Sequence, residues 1–199
     1  SKAKILIPGS GEEYGLLKES QMPIDEKTEL NPVNPYAVTK VAQDFIANVY
    51  FESYGLNVIR VRTFNHEGPR RENVFGISSY AYQIAKIEAG LQKKIVKVGY
   101  LGDKRNFTHV NDIVNGLILM SQKKWSGEIF NLGTGKNHSI NEIAKIFNHK
   151  QRFIPKRPGE ADSTLADISF SREYIDYEPK EVIEDYIIKW LKENVLLKD

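Results

Sequence analysis

Asn34-Pro35-Tyr36-Ala37-Val38-Thr39-Lys40 opens a helical pattern that runs to about Tyr54, and Gly55 separates it from Val58-Ile59-Arg60-Val61-Arg62. Pro35 suits a first helical position, because its missing N–H would be unpaired there anyway. Gly55 is a C-cap signal. Within the helix Val38, Val41, Ala42, Phe45, Ile46 and Val49 recur at i, i+3, i+4 spacing and form one apolar stripe. Residues 58–62 alternate partially, as a strand does. Upstream, Ile5-Leu6-Ile7 is a short apolar run closed by Pro8-Gly9 and reads as a buried strand. Strand, helix, strand in that order predicts a βαβ unit and a parallel sheet.

Tyr36 and Lys40 are four apart, so on this helix they stack on one face, one turn apart. At about 100° per residue they point to nearly the opposite side from the apolar stripe, so they are not simply core residues. A lysine ammonium beside a phenol favours the phenolate and lowers the tyrosine pKa toward working pH, which makes a general acid/base. The same spacing also describes a plain surface pair on an amphipathic helix.

The first strand is followed by the loop Gly9-Ser10-Gly11-Glu12-Glu13-Tyr14-Gly15. A serine between two glycines at a strand end leaves room for a ligand to approach its hydroxyl, though a Gly-Ser turn has the same composition. It is not a nucleophile elbow, which would need glycine at positions 8 and 12. Residues 16–33 are polar and irregular, with Pro23 and Pro32, and read as a surface loop. After the second strand, Arg70 and Arg71 stand beside Gly68 and Pro69 on a loop. They fit either a grip on a phosphate or carboxylate or a solvated basic turn.

Ile77, Tyr80, Ala81, Ile84, Ile87 and Leu91 predict a second amphipathic helix ending near Gly90, and residues 95–99 a short strand. A helix follows from Asn111 or Asp112 through Met120, with Asp112 where a first-turn acid helps the dipole. Residues 128–133 read as a strand, Ser139-Ile140-Asn141-Glu142 as a capping box opening a helix, residues 152–155 as a short strand and residues 182–191 as a last amphipathic helix.

With 199 residues, 41% hydrophobic and 27% charged, the chain has ordinary globular composition, enough for one domain or a domain plus a lobe. A net charge of +2 gives no reason to expect nucleic acid or an anionic membrane as partner. The absence of cysteine removes disulfides, cysteine zinc sites and thiol catalysis, and no metal site is expected. The N-terminal apolar run is too short for a signal-peptide core or a membrane span, so cytoplasm is the default. Gly-x-Gly-x-x-Gly, the dinucleotide fingerprint, does not occur: Gly9 and Gly11 are followed by Tyr14, and Gly133 and Gly135 by His138, where the third glycine is required.

Six motifs stand in order along the chain. They are Ser10-Gly11-Glu12-Glu13-Tyr14-Gly15, Pro35-Tyr36-Ala37-Val38-Thr39-Lys40, Arg62-Thr63-Phe64-Asn65-His66-Glu67-Gly68-Pro69, Arg105-Asn106-Phe107-Thr108-His109-Val110-Asn111-Asp112, Asn131-Leu132-Gly133-Thr134-Gly135 and Arg157-Pro158-Gly159-Glu160. Together they resemble the extended short-chain dehydrogenase/reductase family, in its nucleotide-sugar epimerase, dehydratase and reductase branch, over nearly the whole chain. Residues 64–71 look most like the GDP-mannose 4,6-dehydratases and the GDP-6-deoxy-4-keto-mannose reductases.

The resemblance implies an α/β fold: the C-terminal portion of a Rossmann-like parallel-sheet domain plus a small α/β substrate-binding lobe. Residues 1–132 would form the partial Rossmann-like catalytic domain, interleaved with lobe segments near 66–110, and residues 133–199 mainly the lobe. Ser10 would hydrogen-bond the reacting sugar oxygen, and Tyr36 would move the proton there. Lys40 would lower the Tyr36 pKa and hold the nicotinamide ribose of NAD or NADP. Backbone near Phe64 would touch the nicotinamide end, while Asn65, Arg70, Arg105 and Arg157 would face a nucleotide-diphosphate sugar. Glu12 falls where dehydratases keep the base that takes the proton next to the 4-keto carbon. Gly11 departs from the Asp, Ser or Thr of dehydratases, which weakens water elimination. Asn106 replaces the Asp usual after the arginine.

The glycine-rich front of the family pattern is not in this chain, so most of the cofactor-binding half is expected to be missing from it. The implied activity is that of an NAD(P)-dependent dehydratase or reductase acting on GDP-mannose or a GDP-4-keto-6-deoxy sugar. A 4-epimerase and a truncated non-catalytic sugar-nucleotide-binding fragment are the alternatives. A homodimer through the helices at 36–54 and 77–91 is also implied.

Overall fold

The computed structural model describes residues 3–100, 102–146, 151–153 and 161–194. Along the chain come β1 (Ile5–Pro8), α1 (Pro35–Tyr54), β2 (Val58–Thr63), β3 (His66–Glu67), α2 (Gly76–Glu88), β4 (Val96–Val98), β5 (Lys104–Arg105) and β6 (Thr108–His109). Then follow α3 (Val110–Gln122), β7 (Ile129–Leu132), β8 (His138–Ser139), α4 (Ile140–Ile146), β9 (Gln151–Phe153), α5 (Ser169–Ile175) and α6 (Ile183–Asn194). The central sheet is parallel, in the order β1-β2-β7, with Leu6 opposite Ile59 and Val61 opposite Phe130. The predicted βαβ unit is therefore present. Asn34 caps α1 by accepting the Ala37 N–H at 2.8 Å, and Gly55 ends it at φ 62°.

Two apolar clusters organise the chain. One packs Ile59, Val61, Phe130 and Leu132 of the sheet against Ile113 and Met120 of α3 and against Ile168, Ile175 and Tyr177. The other packs Ile77, Tyr80, Ile84 and Ile87 of α2 with Val96 and Val98 of β4, Ile143 of α4, and Ile183 and Ile187 of α6. Residues 166–177 thus belong to the sheet's core although they lie beyond position 133. The helix α5 within them went unread because its seven residues are too few for a clear period. The short parallel pair β3–β6 joins segments of the two clusters, His66 facing Thr108 and Glu67 facing His109.

Two expectations are corrected. The first strand is not fully buried: β1 pairs with β2 alone among the described residues, and Ile5 remains 39% exposed. The apolar stripe of α1 is not its core side either, since Val38, Phe45, Ile46 and Val49 are all more than half exposed. The helix approaches the sheet through Ala37, Asp44 and Ala47 instead. Small side chains let the backbones come close, and Asp44 meets the cations that β2 projects. Asp44 Oδ1 lies 3.0 Å from Arg60 Nη1, and its Oδ2 lies 3.1 Å from Arg62 Nη2. By contrast, Ile77, Tyr80, Ala81, Ile84 and Ile87 of the α2 stripe are buried within the second cluster, while Leu91, beyond the helix end at Glu88, is 77% exposed.

The buried Asp44 carboxylate serves two arginines, and removing it takes the carboxylate from Arg60 and leaves Arg62 with Glu13. Asp44→Ala is expected to destabilise the chain by about 3–5 kcal/mol, the usual cost of breaking a buried ion pair, read as a fall in the urea midpoint. A midpoint within error of the parent would show that the network does not hold α1 to the sheet.

Candidate functional site

Where the Ser10 turn, the first turn of α1 and the β2–β3 loop meet, a cleft of about 560 Å³ opens. Ser10, Glu12, Asn34, Tyr36, Phe64, Asn65, His66, Arg71 and Thr164 are among the residues that line it.

Ser10 caps the short 3-10 turn Gly11–Tyr14. Its Oγ accepts the Glu12 N–H at 3.2 Å, so its own proton is available to donate to a bound oxygen. Its backbone N–H donates to Glu13 Oε1 at 2.7 Å. Glu13 is fully buried, with Oε2 3.3 Å from Arg62 Nε, close enough to pair though not aligned as a hydrogen bond. Burial pushes the Glu13 carboxyl up, opposed by the Ser10 N–H and by Arg62. Arg62 Nη1 also donates to the Tyr14 hydroxyl at 3.1 Å, and that hydroxyl donates to Asn131 Oδ1 at 2.8 Å. Burial pushes the Tyr14 phenol up to about 12, so it stays a neutral donor.

Tyr36 is 51% exposed on the first turn of α1, and Lys40 Nζ lies 5.9 Å from its ring centroid. Lys40 donates to the Pro8 carbonyl at 2.8 Å and to Gln43 Oε1 at 3.3 Å. It is thereby anchored to the end of β1 while facing the ring. Glu12 is exposed, and its Oε2 accepts Asn34 Nδ2 at 3.0 Å. Gly11 faces Phe64: a Cβ there would stand 3.1 Å from the ring, so a side chain at this position needs the ring to give way.

Phe64 lines the same cleft. Its N–H donates to Leu132 O at 2.9 Å and its carbonyl faces His66 Nδ1 at 3.1 Å, so both backbone groups have partners within the chain. Burial pushes the His66 imidazole down, which keeps it neutral at pH 7. With Nδ1–H donating to the Phe64 carbonyl, Nε2 is left as an acceptor. Asn65 is exposed in the cleft, its Oδ1 accepting Thr164 Oγ1 at 3.4 Å.

The arginines divide differently from expectation. Arg70 adopts φ 70° and lines a separate cavity of about 290 Å³ between α2 and α6, while its neighbour Arg71 lines both that cavity and the cleft. The turn at Gly68–Arg71 thus brings Arg71 and not Arg70 to the cleft, which residue type alone does not reveal. Arg105 is buried on β5, with Nη2 3.1 Å from Asp103 Oδ2, and is not among the residues lining the cleft. Arg157 lies outside the described residues. Asn106 is buried and donates to Thr134 Oγ1 at 2.9 Å and to Lys136 O at 2.7 Å. An aspartate in its place could not make those donations. Among the described residues no cluster of three or more His, Asp and Glu is placed to hold a metal, and no helix is long and apolar enough to cross a membrane.

Sequence reasoning missed Asn34, His66 and Thr164 as cleft residues. Asn34 carried a signal, since asparagine before a first-turn proline is an N-cap. Thr164 carried none, because it arrives from 100 residues downstream of β2.

A family model described as GDP-mannose 4,6 dehydratase matches residues 1–152. The chain belongs to the GDP-mannose 4,6 dehydratase family. Among its relatives, the GDP-6-deoxy-D-mannose reductase of Pseudomonas aeruginosa is 33% identical over 141 residues, covering 71% of this chain and 46% of the relative. GDP-mannose 4,6 dehydratase 1 of Arabidopsis thaliana is 29% identical over 199 residues, covering 95% of this chain and 54% of the relative. The solved structure of RMD from Pseudomonas aeruginosa complexed with NADPH matches with a TM-score of 0.87 at 27% identity, covering 97% of this chain and 66% of that one. The chain spans about half the length of these curated relatives. Family membership and the α/β fold expected from the motifs are both borne out.

Beside the cleft, Glu67 is buried, accepts Ser78 Oγ at 3.0 Å, and has its carboxyl pushed up by burial. The folded chain therefore keeps this proton after the unfolded chain has lost it. Stability from this group is full below pH 4.5 and is lost as pH rises through the raised value. Glu67→Gln keeps an acceptor for Ser78 and has no charge to bury. The stability difference, variant minus parent, is expected to grow with pH above 4.5 in urea titrations. A difference independent of pH would refute the assignment.

Proposed function

We propose that this chain carries the proton-transfer and sugar-facing machinery of an NAD(P)-dependent enzyme acting on a GDP-linked mannose derivative, either GDP-mannose or its 4-keto-6-deoxy form. The observation that supports this most is the convergence of Ser10, Tyr36 and Glu12 on one cleft, with the Lys40 ammonium facing the Tyr36 ring. Tyr36 moves the proton at the reacting sugar oxygen, and Ser10 donates a hydrogen bond to the same oxygen. Lys40 places a fixed positive charge beside a phenol that gives up its proton.

The residues present fit the nicotinamide end of a cofactor. The exposed Tyr36 hydroxyl and an ammonium now resting on the Pro8 carbonyl are groups that a ribose can take over. A bound nicotinamide would supply or accept the hydride. Asn65 and Arg71 are the cleft groups suited to the polar diphosphate end of a ligand. Arg70, Arg105 and Arg157 remain weaker assignments on the grounds given above.

Within this reading, reduction of a keto sugar is favoured over water elimination. Elimination needs an acid or hydroxyl beside the leaving oxygen, and position 11 is a glycine pressed against Phe64. Glu12 would then hold a sugar hydroxyl next to the reacting carbon.

Tyr36→Phe keeps the shape and removes the proton carrier. In the complete protein, turnover with NADPH and a GDP-4-keto-6-deoxy sugar is expected to fall about 10²–10⁴-fold. Turnover close to normal would mean that Tyr36 does not have this role.

The outward stripe of α1 is part of the same proposal. Val38, Phe45, Ile46 and Val49 form an exposed apolar face suited to a second copy of the chain. The corresponding stripe of α2 is used internally, so α1 would supply most of the contact. Sedimentation at tens of micromolar is expected to show a dimer that Ile46→Lys dissociates. A parent chain that is monomeric under those conditions would count against this interface.

A further inference from the structure

We infer that Asn34 is a positioning residue that sets the Glu12 carboxylate against the cleft and ties it to the helix carrying Tyr36. The inference rests on the function proposed for that cleft. Asn34 Oδ1 accepts the Ala37 N–H at 2.8 Å, which caps α1. That bond decides the orientation of the amide, because only its oxygen can accept from a backbone N–H. Nδ2 therefore points away from the helix, and it donates to Glu12 Oε2 at 3.0 Å. Donor meets acceptor with no ambiguity of sense, since an ionised carboxylate can only accept.

The backbone supports the same arrangement. The Asn31 N–H donates to the Glu13 carbonyl at 3.0 Å, latching the segment before Asn34 onto the Gly11–Tyr14 turn. Glu12 is exposed and has a long side chain, so without a partner its carboxylate would sample several rotamers. Asn34 selects one of them. A single side chain thereby fixes Glu12 relative to Tyr36, two residues further along, and all three line the cleft.

Capping alone does not call for asparagine. Aspartate and serine cap helices about as well. Aspartate, however, would turn a second oxygen toward the Glu12 carboxylate, and a serine hydroxyl engaged as a cap cannot span to it. Holding Glu12 is the property that separates asparagine from the other good caps.

The test uses Asn34→Ser and Asn34→Asp in the complete protein, with Tyr36→Phe as a control. Both Asn34 variants keep a cap, so Tm is expected to stay close to the parent. Loss of positioning is expected to lower kcat about 10–10²-fold in Asn34→Ser, with little change in KM, and at least as much in Asn34→Asp. In a Glu12→Gln background neither change should cost anything further, because the group being positioned is already disabled. Parent-like kcat in both variants, or losses that simply add to that of Glu12→Gln, would overturn the inference. Normal turnover by Tyr36→Phe, or no turnover by the parent, would instead count against the proposed function. In that event the clamp is read directly by NMR on the 199-residue chain. The Asn34 side-chain amide resonances should move on Glu12→Ala while the Ala37 N–H does not, and unmoved amide resonances would overturn the clamp.

Discussion

A buried guanidinium holds the pieces of the cleft in register. Arg62 sits on the middle strand of the sheet and reaches Asp44 of α1, Glu13 of the Ser10 turn and the hydroxyl of Tyr14. Burying one charge in a low-dielectric interior is costly, and the cost falls only when every neighbour is placed to answer it. That demand makes the network a specifier of geometry more than a source of stability. Helix, turn and strand can each be formed alone, but only one mutual arrangement satisfies Arg62. In that arrangement Tyr36, Ser10 and Glu12 face one another.

A second consequence concerns the loop at 22–31, which has little regular structure of its own. Glu26 Oε1 accepts the Asn131 N–H at 2.7 Å, the Glu26 carbonyl accepts Arg62 Nη1 at 3.2 Å, and Asn131 Nδ2 donates to the Ile24 carbonyl at 2.9 Å. An irregular segment is thus fixed by the polar groups of two strands. Irregular backbone near a core must find partners for its N–H and C=O groups, and here side chains supply them.

Much of the fold was legible because its signals are local. Pro35 and Gly55 bracket α1, the run at 58–62 is a strand, and Ser139 with Glu142 does form the expected box, the Glu142 N–H donating to Ser139 Oγ at 3.1 Å. The orientation of α1 was not legible. Its apolar residues define a face, yet nothing local says that the opposite face, with an aspartate among alanines, is the one that packs. The answer lies in Arg60 and Arg62, about 18 residues away, whose alternation on β2 gives one side of the sheet a cationic surface. The site divided in the same way. Ser10, Glu12, Tyr36 and Asn65 meet in space because each sits at the end of a regular element, where strand and helix geometry fix direction. Arg70 and Arg105 do not join them, since a turn and a two-residue strand set their directions.

The open side of β1 has an effect on how the chain behaves as a material. Among the described residues its backbone donors and acceptors on that side meet no other strand. Apart from the Pro8 carbonyl, which accepts Lys40 Nζ, this open side around Leu6 is a template on which another extended segment can add. Proline at the strand's end, position 8, shortens that template by one donor but does not close it. An extended segment laid along this edge would therefore continue the sheet beyond β1, and what covers the edge bears on the chain's tendency to associate with itself.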